Sequence, residues 1–236
     1  MKQTVRHLLL LVALVVAAGA SAQSASRDYL REQISRWNEC RNVAITKTNG
    51  DVALYGSAGS GYACKDVPPS LAKTLKKLHD ENKFIDDVQL TESGKWIVLF
   101  GKNSIRYNGI PDDLKEDIKK AQKGSETITS VTFNDAGDWI LITSEYVRSG
   151  SDAMQQWLSA GAQDLGMLYA ACVTDDAVIA VFEEGYRYYG EVPTDLLDAL
   201  RDSDIEVYRI KLAGPSWFFA DATGKKFHAN LEQSSS

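Results

Sequence analysis

The chain has 236 residues, 44% of them hydrophobic and 25% charged, and a formal net charge of −6. That length and composition can bury one sizeable core, so a single globular domain is expected. A negative chain without a cluster of lysine and arginine among aromatic residues repels a phosphate backbone, which argues against nucleic-acid binding.

The first 22 residues have the parts of a secretory signal peptide. Lys2, Arg6 and His7 precede an apolar run over 8–18, and Ala20-Ser21-Ala22 supplies small residues for cleavage. The run is shorter than the ~20 residues that a membrane span requires, so no span is expected in the mature form. Cleavage removes Lys2 and Arg6 and takes the net charge from −6 to −8. The sequence therefore predicts export to the periplasm or the medium, and the form of the signal is typical of bacteria.

The mature chain begins with a predicted helix over 27–38. Leu30, Ile34 and Trp37 give this helix one apolar stripe. No strand precedes it.

A pattern of three strands and a helix follows, and it is clearest over 85–118. Val88 and Leu90 alternate with polar residues, as in a strand with one buried face. A turn leads to the apolar central strand that begins at Trp96, and a short third strand follows. Ile110-Pro111 then opens a helix, with proline expected at the first helical position, where a missing N–H costs nothing.

The same pattern recurs through the rest of the chain, which predicts five repeats. Their boundaries are about 39–83, 84–126, 127–166, 167–205 and 206–231, and 232–236 is expected to be a disordered tail. The structural anchors at equivalent places in the central strands are Trp96, Trp139, Val178 and Trp217.

The fifth repeat has no room for a helix before the tail, whereas the helix over 27–38 has no strands before it. We therefore expect this helix to complete the fifth repeat and close a ring, which also protects sheet edges. The predicted fold is a β-rich α+β ring of five pseudo-symmetric repeats. In repeat number and element order it resembles a β-propeller with added helices, or the α/β-propeller of the pentein superfamily. Enzymes of that superfamily modify guanidino groups with a Cys–His–acid set, but the segments here do not match their catalytic segments, so no residue role is carried over.

The three cysteines leave at least one thiol unpaired. Cys40 precedes the first strand of its repeat and Cys64 lies on the third, and strands two apart are about 10 Å from each other. A Cys40–Cys64 disulfide forms only if the corner before the first strand closes this gap. The sequence therefore leaves open whether these two cysteines are bonded or are free thiols. Cys172 is expected to be a small buried core residue.

One strand has the composition of a contact surface. Tyr186, Arg187 and Tyr188 combine aromatic rings with a guanidinium, which suits sugars or protein partners. His79 and His228 have no second ligand at metal-site spacing, and phosphate-binding or dinucleotide glycine patterns are absent from the sequence. We expect no metal and no cofactor.

These features favour a secreted or periplasmic, non-enzymatic binding module, monomeric, whose ligand is a glycan or a protein surface. One alternative is a hydrolase of extracellular glycans that uses two carboxylates about 5–10 Å apart. Another alternative is a secreted inhibitor of an enzyme.

Overall fold

The computed structural model describes residues 25–56 and 59–232. The predicted signal peptide, 1–22, lies outside this part of the chain, as do residues 233–236 of the predicted tail. Among the described residues, no helix combines the length and the hydropathy that a bilayer crossing needs.

The described strands pair into five separate antiparallel sheets of three strands each. In each sheet the strands follow chain order, and we call them inner, middle and outer. The sheets are β1 (Asn42–Ala44), β2 (Asp51–Leu54) and β3 (Tyr62–Lys65); β4 (Ile85–Leu90), β5 (Trp96–Phe100) and β6 (Ser104–Asn108); β7 (Ile128–Phe133), β8 (Trp139–Thr143) and β9 (Val147–Ser149); β10 (Leu168–Val173), β11 (Ala177–Phe182) and β12 (Gly185–Gly190); and β13 (Arg209–Ala213), β14 (Ser216–Ala220) and β15 (Phe227–Asn230).

Five helices accompany the sheets within the described chain. The first, α1, spans 25–37 and precedes the first sheet. The others follow the first four sheets and are α2 (Pro69–Asp80), α3 (Asp112–Lys123), α4 (Asp152–Leu165) and α5 (Thr194–Asp202). The predicted repeats of three antiparallel strands are confirmed, and the fold is a β-propeller-like repeat fold.

A proline precedes the first residue of three helices, and Pro111 lies one residue earlier than the first helical position predicted for it, whereas α2 itself begins at Pro69. Pro68, Pro111 and Pro193 immediately precede the first helical residue, with φ between −50° and −58° and an extended ψ between 134° and 143°. The ring of proline fixes only φ, so it is compatible with this capping position as well as with the first turn. Among α2 to α5, only α4 starts at a side-chain cap, where Ser151 accepts a hydrogen bond from the Met154 N–H.

A β-bulge at the same place in three inner strands shows that the repeats are equivalent. The pairing of inner and middle strands shifts register at Asp86 in β4, at Thr129 in β7 and at Tyr169 in β10. Bulges bend a strand and increase its twist. A bend shared by successive inner strands indicates one backbone design copied along the chain.

The apolar core is divided into clusters that lie between consecutive sheets. Each cluster joins the middle strand of one sheet, the helix that follows it and the inner strand of the next sheet. The cluster around α2, for example, contains Val52 of β2, Leu71 and Leu75 of α2, and Val88 and Leu90 of β4. Neither the helix nor the inner strand could bury its apolar face within its own repeat.

The cluster around α1 has the same composition, but it joins the last sheet to the first. Leu30 and Ile34 of α1 pack with Phe218 of β14 and with Val43 and Ile45, at the first inner strand. Strand β13 also neighbours β1. Among the described strands no hydrogen-bonded ladder joins one sheet to another, so contacts other than strand pairing, above all side-chain packing, hold the sheets together.

The anchor residues of the middle strands are buried as expected, with Trp96, Trp139, Val178 and Trp217 at most 6% exposed. The three tryptophans share a contact that the sequence did not predict. Each indole N–H donates to the second residue of the preceding helix. The pairs are Trp96 with Ser70 Oγ at 3.1 Å, Trp139 with Asp113 Oδ2 at 2.9 Å, and Trp217 with Asp195 Oδ2 at 2.8 Å.

Both partners of this bond are missing where α4 of the third repeat meets the middle strand of the fourth. Val178 has no donor, and the second residue of α4 is Ala153, which has no acceptor. Donor and acceptor are thus lost together, which leaves no indole N–H buried without a partner. In the other three cases, the bond attaches the first turn of the helix to the middle strand of the next sheet.

We expect Leu30→Ala to weaken the last sheet as well as the first. Leu30 is fully buried in the cluster that joins them, and removing a buried leucine side chain costs about 2–5 kcal/mol of unfolding free energy. Hydrogen exchange should show reduced protection in both β1 and β14. The exposed Glu32→Ala on the same helix is the control. Loss of protection confined to β1–β3 would contradict the packing of α1 on the last sheet.

Trp139→Phe should destabilise the protein more than Trp96→Phe. Both changes remove the same ring volume, but Trp139 loses a hydrogen bond to a carboxylate whereas Trp96 loses one to a hydroxyl. Bonds to charged groups are the stronger, so the difference in unfolding free energy should be about 1 kcal/mol. Urea denaturation measures it, and equal losses would show that ring packing alone sets the cost.

Candidate functional site

The five inner strands converge and place a cluster of polar side chains between them. β1, β4, β7, β10 and β13 neighbour one another in chain order. The buried polar residues that they contribute are Asn42, Asp87, Gln89, Ser130, Thr132 and Lys211. These residues alternate along the strands with the apolar residues of the core clusters, because successive side chains of a strand point to opposite faces.

Lys211 is the centre of this polar cluster. Its Nζ donates to Asp87 Oδ1 at 3.1 Å and to Gln89 Oε1 at 3.0 Å. The side chains of Lys211 and Asp87 are only 4% and 3% exposed. Because β13 and β4 are not consecutive in the series of inner strands, this ion pair ties the fifth sheet to the second.

Asp87 also accepts hydrogen bonds from the two neighbouring inner strands. Asn42 Nδ2 of β1 donates to Oδ1, and the backbone N–H of Val131 in β7 donates to Oδ2 at 3.3 Å. Ser130 Oγ is 3.4 Å from the same oxygen. A buried carboxylate needs this kind of saturation, since an unpaired charge would carry a large desolvation cost.

A pocket opens above the polar cluster, where the inner strands end and turn towards the middle strands. It has a volume of about 130 Å³, and we call it the central pocket. All five repeats contribute to it. It is lined by Ile45, Lys47, Gln89, Leu90, Thr91, Glu92, Phe133, Asn134, Val173, Thr174, Asp175, Asp176, Leu212 and Ala213.

The wall and the rim of the central pocket follow the repeat. The wall includes one apolar residue at the equivalent place near the end of each inner-strand segment, namely Ile45, Leu90, Phe133, Val173 and Leu212. Two residues further on, the second, third and fourth repeats carry an acid: Glu92, Asp135 and Asp175. The amide of Gln89 lines the pocket below and connects it to Lys211.

These acids cap the hairpin of the preceding repeat. Glu92 accepts from the backbone N–H of Lys47 at 2.6 Å and of Thr48 at 3.1 Å. Asp175 Oδ1 accepts from the N–H of Asp135 at 3.0 Å and of Ala136 at 3.3 Å. The rim is therefore built from carboxylates that backbone donors hold in place.

Asp135 follows the same rule on the second hairpin. It accepts from the Ser93 N–H at 2.7 Å and from Thr91 Oγ1 at 2.7 Å. Burial acts to raise the pKa of Asp135, but these hydrogen bonds outweigh it, and the pKa lies below its usual value. This carboxyl group is ionised at neutral pH.

The fifth and first repeats lack the acid that caps the preceding hairpin. The equivalent residue is Gly214 in the fifth repeat and Lys47 in the first, so no acid from the fifth sheet caps the hairpin of the fourth. Instead, Lys47 Nζ pairs with Asp176. A second depression, the side notch, opens beside this pair and is lined by Lys47, Thr174, Asp176, Glu191, Val192, Pro193, Leu212, Gly214 and Pro215.

The strand predicted to bind a ligand does not border the central pocket. The Tyr186 hydroxyl donates to the Leu197 carbonyl at 3.2 Å, and its ring packs on the core around α5. Arg187 lies 5.5 Å over the Trp157 ring and donates to the Trp157 carbonyl at 3.2 Å. Tyr188 is 46% exposed. Packing therefore accounts for the first two side chains, and only Tyr188 is left as a free contact surface.

Cys40, Cys64 and Cys172 are all free thiols. The Cys40–Cys64 disulfide is not formed, because Cys40 packs in the cluster around α1 whereas Cys64 packs against the cluster around α2. Burial raises the pKa of Cys40 to about 12. Cys172 is buried as expected, and its pKa is also raised by burial.

The carboxyl groups whose pKa is raised lie away from the central pocket. Burial raises the pKa of Asp51, opposed by Arg27, and it raises the pKa of Asp86, opposed by Arg41 and Arg209. Asp51 and Arg27 form an ion pair at 3.1 Å. Among the described residues no group of three or more His, Cys, Asp or Glu side chains is arranged to hold a metal ion.

The central pocket was missed by sequence reasoning, although one signal was available. Gln89, Thr132 and Lys211 are polar residues between two apolar positions of inner strands. Alternation predicts that such residues face away from the core cluster, but only the convergence of five strands turns them into one site.

No protein-family model matches the chain. No curated protein matches it significantly. The crystal structure of the N-terminal domain of Nup159 aligns with 81% of this chain and with 57% of its own length, at 8% identity and a TM-score of 0.30. At so low a TM-score the alignment adds nothing to the fold, which rests on the strand pairing and packing described above.

Lys211→Met should destabilise the protein by about 3–5 kcal/mol, since it leaves the buried Asp87 carboxylate without its ammonium partner. Adding Asp87→Asn removes the uncompensated charge, so the double variant should recover about 1–3 kcal/mol. Urea denaturation of the two single variants and the double variant measures the coupling, with the exposed Lys119→Met as control. Additive losses would mean that the two groups do not depend on each other.

Proposed function

We propose that the protein is a non-enzymatic binding module, exported from a bacterial cell, that takes its ligand at the central pocket of a closed five-repeat ring. The observation that carries the proposal is the central pocket itself. All five repeats contribute to it, and its lining combines six apolar residues with eight polar or charged ones, several of them held in place by hydrogen bonds. Concave apolar sites with convergent polar groups are the usual form of ligand sites.

Closure of the ring is supported by the equivalence of the core clusters. The cluster around α1 joins the last sheet to the first in the way that the cluster around α2 joins the first to the second. The contact of β13 with β1 and the Lys211–Asp87 pair across the inner strands agree with it. In such a ring α1 is the helix of the fifth repeat.

Export is supported by the basic, apolar and small-residue segments of residues 1–22. The single repeat domain then corresponds to 23–231.

A binding role agrees better with the carboxylates than a hydrolytic one. A glycan hydrolase needs two carboxyl groups in one cleft, with the pKa of the acid raised. At the central pocket, backbone N–H groups occupy Glu92 and one oxygen of Asp175, while Lys47 holds Asp176. The carboxyls with a raised pKa, Asp51 and Asp86, face arginines elsewhere.

A steric block at the mouth of the central pocket tests its location. Lys47 lines both the central pocket and the side notch, so Lys47→Trp should obstruct the entrance to both. Wild-type protein and variants would be applied to glycan and peptide arrays, with Lys119→Trp on the exposed face of α3 as the matched control. We expect ligands bound by the wild type and the control to be lost with Lys47→Trp.

Ligands retained by Lys47→Trp at wild-type affinity would place the binding site elsewhere. Mass spectrometry of the arrayed compounds covers the hydrolase alternative, since shortened products would contradict a non-enzymatic role.

A further inference from the structure

The central pocket and the side notch are parts of one depression. They share Lys47, Thr174, Asp176 and Leu212. The notch exists because the fifth repeat has Gly214 where an acid stands in three other repeats. The break in symmetry therefore gives the pocket an exit beside the fourth and fifth sheets.

The charge of this depression is negative. Its lining contains Glu92, Asp175, Asp176 and Glu191 against a single cation, Lys47. A negative rim repels phosphate or carboxylate ligands and attracts cations. The chain itself already places an ammonium group there, since Lys47 Nζ pairs with Asp176.

Two rim carboxylates keep acceptor capacity for a ligand. Asp175 uses Oδ1 for the backbone N–H groups of the third hairpin, and its Oδ2 accepts no hydrogen bond from the described residues. Asp176 uses Oδ2 for Lys47, and the pair is about two-fifths exposed. A partially exposed ion pair of this kind is weak and can be exchanged for another cation.

The size of the central pocket limits what enters it. Its volume of about 130 Å³ is below the roughly 300–1,000 Å³ of sites that enclose a whole small molecule. Its wall is apolar, and the Lys211 ammonium lies under the Gln89 amide at its base. The pocket therefore suits an uncharged apolar side chain, with the positive charge of the ligand remaining at the rim.

We infer that the depression is a docking site for a basic segment of a partner polypeptide, in which an apolar side chain enters the central pocket and an adjacent lysine or arginine pairs with Asp175 and Asp176. This inference rests on the proposed binding function. The side notch gives the segment a path out of the pocket along Val192, Pro193 and Pro215. The partner's cation displaces Lys47 from Asp176.

The test uses fluorescein-labelled decapeptides that alternate leucine with lysine or arginine, together with matched peptides in which glutamate replaces the basic residues. Fluorescence anisotropy gives the affinities. We expect the basic peptides to bind, the acidic ones not to bind, and the affinity to fall as salt rises.

Charge variants at the rim should shift the affinity in opposite directions. Asp175→Asn and Asp176→Asn should each weaken binding of the basic peptides about fivefold. Lys47→Met should strengthen it by about the same factor, because it frees Asp176 and removes a like charge. Two substitutions at exposed residues, Asp164→Asn and Lys119→Met, are the matched controls. Thermal melts check that each variant is folded.

Tighter binding of the acidic peptides, or weaker binding of basic peptides to Lys47→Met, would overturn the inference. If no peptide binds but another class of ligand is lost with Lys47→Trp, this inference fails while the proposed binding function stands. If peptides bind equally to Lys47→Trp and wild type, the location of the site is wrong in both.

Discussion

The structure depends on one packing constraint: no repeat can bury its own apolar surface. The helix that follows each of the first four sheets covers the middle strand of that sheet and the inner strand of the next, as Leu71 and Leu75 do between Val52 and Val88. Because burial of apolar area is the main favourable term in folding, each repeat is stable only beside its neighbours. The same constraint requires a partner for the last sheet, and α1 supplies it with Leu30 and Ile34.

Polar contacts then fix the geometry that packing leaves free. The bond from Trp139 to Asp113 sets where a helix enters the interface, and the hairpin caps of Glu92 and Asp175 set how one turn meets the next. The pair of Lys211 and Asp87 joins inner strands that are not consecutive. Buried charges are costly unless they are paired, so these contacts favour one arrangement of the sheets over others of similar apolar packing.

The candidate site arises where the symmetry is incomplete. An acid in the position of Gly214 would cap the fourth hairpin as Asp175 caps the third. Without that acid, Asp176 forms an ion pair with Lys47, and the side notch opens beside the pair. One side of the central pocket thus differs from the others. The negative rim on that side is the basis for the cationic partner that we infer.

Sequence alone determined the repeat, its strands and helices and its tryptophan anchors, since these follow from local alternation, helical periodicity and turn residues around Trp96, Trp139 and Trp217. It misplaced Pro111 by one residue. It also left the Cys40–Cys64 bond open, because that bond depended on which core cluster each thiol joins. It pointed to Tyr186, Arg187 and Tyr188, whereas packing on Leu197 and Trp157 occupies two of them. Only the tertiary structure brought Lys211 to Asp87 and Gln89, because Lys211 comes from the fifth repeat and the other two from the second, and their contact depends on the angle between sheets, which no local pattern encodes.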